Sequence, residues 1–342
     1  MNRSISTWVR TRAGKVRRGF TLVELLVVIA IIGLLVGLTV PAVFGVQAAF
    51  ERSAVKFEVE SLSDAIEKYR SKHGDYPPDG SSWTVMERHF RKAFPNILSS
   101  ELLLIKNFQM DRAEALVFCL GGFSTDAQRP FTGKGGPLVK VGSAYQYNAS
   151  RDNSFYEFSN DRLTLDDEST FAGATIDAFP VYMSRKNTLL AGTPYVYFDS
   201  RTYMSNIGTP SAPIYNCYQP SNILTVTTVG SPRGDLGAVR PHLASVSGSG
   251  SPVFEDNKTF QIITAGKDGR FGGRLVALGA QWFTTTGKSY TNSGTVIAPV
   301  MAPDSASPGK FELAENNGIL LRPAYDNATN FTEAKTLGDN AS

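Results

Sequence analysis

The sequence predicts an α+β fold in which a long N-terminal α-helix, hydrophobic and then amphipathic, carries a globular head with an antiparallel β-sheet. Three observations predict it. Residues 25–50 are 26 uncharged residues dominated by Leu, Val, Ile, Ala and Gly, more than the roughly 20 that a helix needs to cross a bilayer. Val55, Val59, Leu62, Ile66 and Tyr69 follow at spacings of 4, 3, 4 and 3, the single apolar stripe of a surface helix. Beyond residue 79, short helical patterns give way to β-branched and aromatic runs bounded by Gly, Pro, Asn and Ser. A chain of 342 residues with 42% hydrophobic and 19% charged side chains is neither disordered nor of low complexity.

The first element is a basic leader, residues 1–19. Six of the 34 basic residues (Arg3, Arg10, Arg12, Lys15, Arg17 and Arg18) fall in the first 18 positions with no acid among them. The other 28 face all 31 acids, so the formal net charge of +3 belongs to the leader and no nucleic-acid partner is expected. Basic flanks resist translocation, which holds this end in the cytoplasm and puts the rest of the chain outside.

The second element is the apolar helix, residues 20–50. It is preceded by Lys15-Val16-Arg17-Arg18-Gly19 and opens Phe20-Thr21-Leu22-Val23-Glu24. This junction resembles the processing site of type IV prepilins and of type II secretion pseudopilins, and the resemblance covers roughly residues 14 to 78. It implies that a prepilin peptidase cuts after Gly19 and that Phe20 is then N-methylated. It also matches Glu24 to the family's glutamate at the fifth position of the processed chain, and Pro41 to a proline about twenty residues past the cut. A carboxylate at the edge of an apolar helix costs a few kcal/mol to insert and is rarely without a partner. Two readings are open. Glu24 pairs with the Phe20 amine, its own or a neighbouring subunit's, and sets the axial register of a filament; or it snorkels to the headgroups. Gly33, Gly37, Pro41 and Gly45 recur every fourth residue. They form either a small-residue face for close helix packing or the ordinary Gly and Pro content of a membrane helix.

The third element, residues 51–78, is the amphipathic stalk and its exit turn. The helix should end near His73-Gly74, where glycine takes a left-handed cap and Tyr76-Pro77-Pro78 cannot continue it. A helix from residue 20 to about 72 would be about 80 Å long.

The head is expected over 79–322, with a mobile polar tail over 323–342. Thr84-x-x-Glu87 and Asp111-x-x-Glu114 read as capping boxes opening two helices. Strands are expected at 195–198, 223–229, 260–264 and 275–286, and a Ser/Gly-rich surface loop at 235–257.

No catalytic motif stands out. His73, His89 and His242 are scattered, and neither a P-loop nor a GxSxG occurs. Gly266-Lys267-Asp268-Gly269 resembles the turn that leads into the calcium loop of major pseudopilins, so Asp268 is the metal candidate and Ca2+ the one cofactor considered. The loop lacks an acidic cluster, and calcium needs six to eight oxygens; a tight turn with Gly at positive φ explains the same residues, unless Asp199, Glu255 or Asp256 complete a site. Cys119 and Cys217 stand 98 residues apart. They fit no metal spacing, and the expected compartment allows either a bridge or a buried thiol at Cys119.

The expected function is therefore structural and not enzymatic: a subunit of a type IV pilus-like or type II secretion pseudopilus filament. The expected partners are copies of itself or related subunits, the prepilin peptidase/N-methyltransferase, an inner-membrane assembly platform and the membrane. The chain would span the inner membrane once, head outside the cytoplasm, before joining the filament. The alternative is a membrane-anchored extracytoplasmic binding or enzymatic domain with a prepilin-like leader.

Overall fold

The computed structural model describes residues 21–108, 110–164, 179–184, 193–204, 239–247, 252–265, 271, 281–283, 289–293, 296–299 and 327–332. The chain divides into two compact units, Met1–Phe50 and Glu51–Ser342.

Helix α1 (Leu22–His73) supplies the described part of the first unit and opens the second. It runs without a break in its assignment through Gly33, Gly37 and Pro41. Thr39, two residues before the proline, donates its hydroxyl to Leu35 O at 2.9 Å, so this polar group is satisfied within the helix. The helix ends where the glycine signal puts it: Gly74 takes φ +74° and its amide donates to Arg70 O at 2.7 Å.

The second unit continues with α2 (Trp83–Ala93), α3 (Ser99–Phe108) and α4 (Arg112–Leu120). The strands are β1 (Leu138–Val141), β2 (Ala144–Tyr147), β3 (Leu163–Thr164), β4 (Val181–Tyr182), β5 (Val196–Asp199), β6 (Leu243–Val246), β7 (Pro252–Phe254), β8 (Phe260–Thr264), β9 (Gln281–Phe283), β10 (Ser289–Ser293), β11 (Val296–Pro299) and β12 (Ala328–Thr329). Every described pairing is antiparallel, within β1–β2, β3–β4, β6–β7, β9–β10–β11 and β5–β8–β12. The architecture is α+β, as the sequence predicts.

The β5–β8–β12 sheet is buried on both faces. In β5, Tyr197 joins Leu62, Tyr69 and Phe118 in one core cluster, while Val196 and Phe198 join Val181, Leu243 and Ile263 in the other. Burial on both sides explains why the run 195–198 is apolar or aromatic throughout instead of alternating. Helix α4 packs on β4 and β5. Phe118 on it lies 5.9, 5.6, 5.4 and 5.0 Å, ring centre to ring centre, from Phe90, Phe123, Phe131 and Phe179. Three of these pairs are edge-on and the one with Phe131 is tilted; such ring pairs add about 0.5–1.5 kcal/mol each beyond the area they bury.

The two capping patterns fare differently. At α4 the box forms: Asp111 Oδ1 accepts from the amides of Ala113 and Glu114 at 2.7 and 2.8 Å, and Glu114 Oε2 accepts from Asp111 N at 2.7 Å. At α2 it does not. The helix starts two residues early, its N-cap is Ser82 with no side-chain cap bond, and Glu87 pairs instead with Arg91 Nη2 one turn on, at 2.8 Å.

Three segments correct the sequence reading. Helix α3 is missed because Leu102, Leu103, Leu104 and Ile105 form an unbroken apolar run with no helical period. The segment expected as a surface loop holds the β6–β7 ribbon, whose paired Leu243 and Phe254 are buried. Their neighbours are Ser, Gly and Pro, which hid two anchors among turn-forming residues. The expected mobile tail is not free at 327–332: β12 pairs with β8, and Asn327, Ala328 and Thr329 are buried. Polarity misled there, because Asn330 Oδ1 accepts from Ile262 N at 2.6 Å and so acts as part of the sheet. The expected strand at 223–229 lies outside the described residues; of the run 275–286, residues 281–283 form β9.

Candidate functional site

The site begins at the first turn of α1. Thr21 and Glu24 form a capping box: the Thr21 amide and hydroxyl each donate to Glu24 Oε2 at 2.9 Å, and the Glu24 amide donates to Thr21 Oγ1 at 3.2 Å. The Thr-x-x-Glu signature stands in the sequence, so this partner for Glu24 was legible and is one that neither pairing nor snorkelling anticipates. Glu24 Oε1 accepts no hydrogen bond among the described residues. The carboxylate thus satisfies the helix start with one oxygen and presents the other.

Every side chain from 21 to 40 is exposed, including fourteen large hydrophobics, among them Leu22 at 79% and Leu38 at 68%. Leu22–Val40 is long and apolar enough to cross a membrane. At about 1.5–3 kcal/mol per large apolar side chain, leaving this surface in water costs on the order of 20 kcal/mol or more. Lipid or other protein must therefore cover it. Gly33 and Gly37 leave an open notch on the rod, since a Cβ at either would meet nothing within 4 Å. Pro41 lies within the helix, and Gly19 and Phe20 lie outside the described residues.

Within the second unit, the later part of α1 is bound to the head by buried polar contacts. Glu58 takes two short bonds from Arg162, Nη1 to Oε1 at 2.6 Å and Nη2 to Oε2 at 2.8 Å, and hydroxyl bonds from Tyr195 at 2.5 Å, Tyr182 at 3.0 Å and Tyr156 at 3.3 Å. Burial alone would raise this carboxyl's pKa, but the Arg162 and Tyr195 hydrogen bonds outweigh it and the net shift is downward. Tyr69 OH meets His89 Nε2 at 2.7 Å in the core. Lys56 Nζ donates to Thr329 O at 2.9 Å and Thr332 O at 2.5 Å, tying the C-terminal segment to the helix. The exit turn is bolted to the sheet: Arg201 reaches Asp75 Oδ2 at 2.6 Å and Tyr76 O at 2.8 Å, and Tyr197 OH donates to Pro77 O at 2.8 Å. These partners lie far apart in the chain, and no local signal names them.

The remaining candidates belong to the second unit. Cys119 is a buried free thiol, pushed up to about 12 by burial, and Cys217 lies outside the described residues. Asp268 lies outside them too. Asp199, one acid considered with it, is held by Arg201 Nε at 2.6 Å. No group of three or more His, Cys, Asp or Glu converges to hold a metal among the described residues.

Residues 14–40 match the family described as the prokaryotic N-terminal methylation motif. The type II secretion system core protein G of Pectobacterium carotovorum subsp. carotovorum is 36% identical over 66 residues, which is 19% of this chain and 42% of that relative. The same protein of Escherichia coli (strain K12) is 36% identical over 66 residues, covering 19% and 46%. The type IV major pilin protein PilE of Neisseria gonorrhoeae is 36% identical over 66 residues, covering 19% and 40%. The chain thus spans less than half the length of the curated relatives it matches. No solved structure matches. The chain carries a prepilin-type methylation motif at the start of an exposed apolar helix, and relatives from pili and from secretion systems share that N-terminal stretch.

Proposed function

We propose that the protein is a structural subunit of a type IV pilus-like or type II secretion pseudopilus filament. The observation that carries this reading is the exposed apolar stretch Leu22–Val40 of α1, which lies within the methylation motif and carries Glu24 in its first turn. In the membrane, Leu22–Val40 spans the bilayer with the basic leader in the cytoplasm and the head on the other side. A prepilin peptidase cuts between Gly19 and Phe20 and methylates the new amine. An assembly platform then moves the helix from lipid into a bundle of equivalent helices. Apolar surroundings are similar in both places, so packing decides the outcome. The notch at Gly33 and Gly37 admits a neighbouring backbone.

Glu24 sets the register. Its Oε2 is held by Thr21, which fixes the rotamer, and Oε1 is left to accept the Phe20 amine of an adjoining subunit. An unpaired carboxylate in an apolar bundle is costly, so a register that leaves it unpaired is rejected. The chain itself performs no catalysis in this scheme; processing chemistry and assembly energy come from the partners.

Mass analysis of the N-terminus from membranes is expected to show a chain that begins at methylated Phe20, and an intact Met1 end would overturn the reading. Glu24→Ala is expected to leave insertion and cleavage unchanged while lowering filament yield at least tenfold by electron microscopy and shear-fraction blotting. Normal yield from that variant would remove the register argument.

A further inference from the structure

Asn is followed two positions later by Ser or Thr, with no proline between, at Asn2, Asn148, Asn257, Asn327, Asn330 and Asn340. This triplet is the acceptor pattern for N-linked glycosylation, and it is common by chance, so the fold must discriminate among its occurrences. Asn2 and Asn340 lie outside the described residues. At three of the other four the carboxamide is already engaged. Asn148 Nδ2 donates to Gly136 O at 2.8 Å. Asn327 is fully buried and donates to Phe271 O at 3.0 Å. Asn330 Nδ2 donates to Phe260 O at 3.3 Å while its Oδ1 accepts from Ile262 N at 2.6 Å.

Asn257 differs on each count. It is exposed, it lies in the turn joining β7 to β8 between exposed Asp256 and Lys258, and its side chain makes no hydrogen bond among the described residues. The turn is held by its neighbours: Asp256 takes φ +46° and its carbonyl accepts from Thr259 N at 3.1 Å. The Thr259 hydroxyl, which an acceptor site needs two residues on, reaches Asp256 O only at 3.5 Å, a weak contact that is easily exchanged.

We propose that Asn257 is an N-glycosylation site whose donor is a lipid-linked oligosaccharyl diphosphate on the outer face of the membrane, a reading that rests on export of the head. Asn257 Nδ2 attacks the anomeric carbon of the first sugar. The N–C bond forms as the bond from that carbon to the diphosphate oxygen breaks; the lipid diphosphate leaves, and one amide proton passes to a base of the transferase. No electrons are exchanged with a cofactor. A large hydrated group at this turn keeps the β7–β8 end of the head facing solvent in any assembly.

The test is peptide mapping by mass spectrometry of the full chain taken from its host's membranes, with external protease applied to intact spheroplasts in parallel. The expected result is a glycan mass on the Asn257 peptide alone among the four described sites, lost completely in Asn257→Gln and Thr259→Ala and retained in Thr259→Ser. An unmodified Asn257 peptide from a head that the protease reaches overturns the site and leaves the export reading standing. A head that the protease does not reach overturns both. A glycan on Asn327 or Asn330 overturns the argument from burial.

Discussion

Glu58 and His73 each turn a side chain's environment into a measurable stability. Glu58 is 7% exposed and serves one guanidinium and three tyrosines. Glu58→Ala strands Arg162 against the core and is expected to cost roughly 3–5 kcal/mol in denaturant melts of the head. His73 is ringed by Tyr69, Phe94, Phe123 and Phe155, and burial, with Lys72 nearby, pushes it down from 6.5 to about 4. His89 is likewise pushed down by burial to about 3. Below about 6.5 the unfolded chain binds protons that the folded chain refuses, so this contribution to stability is complete above pH 6.5 and lost as pH falls toward 4. Asp199, pushed up to about 6 by burial, works in the opposite sense over part of that range. His73→Phe isolates one group: between pH 7 and pH 5 it is expected to lose about 1–2 kcal/mol less than the parent. An equal loss in both proteins would show that His73 does not titrate as argued. Glu24 stood out in the sequence as the lone charge of the apolar run, and its partner Thr21, only three residues away, was legible there although the reading passed it over. Glu58 was not, because Tyr195 is 137 residues away and Arg162 is 104.

Elements were legible where one chemical signal acted alone. Helix α1 announces both its apolar and its amphipathic stretch and stops at Gly74, and α4 is opened by a complete capping box. Signals in competition failed: Glu87 was offered a cap and took Arg91, and β6, β7 and β12 hide a few buried anchors among turn-forming and polar residues. The short β12 depends on contacts outside the sheet, chief among them Lys56. Lys56→Met keeps the aliphatic stem but leaves the Thr329 and Thr332 carbonyls without their charged donor. It is expected to cost roughly 1–3 kcal/mol and to speed hydrogen exchange at the β8 and β12 amides before the rest of the head. Unchanged exchange there would mean that β12 is held by pairing alone.

At the scale of the molecule, the division after Phe50 separates a surface that water cannot stabilise from a unit with two buried clusters of its own. A fragment of residues 51–342 is therefore expected to be soluble and monomeric without detergent by light scattering, whereas the chain from Phe20 onward should need detergent or lipid. Aggregation of the fragment would mean that the first unit completes the head. The N-terminal likeness to other proteins says nothing of how that head is built, since it covers only 19% of the chain.

The bond from Lys56 to Thr332 joins positions 276 residues apart. A ribosome making roughly 5–20 residues per second needs about 15 to 55 s to cover that interval. Throughout it, Lys56 on the stalk has emerged without the Thr329 and Thr332 carbonyls to which it donates. On the proposed reading the head crosses the membrane as an open chain whose Lys56–Thr332 stitch comes late, and whatever shields the waiting stalk is expected to raise the yield of folded protein.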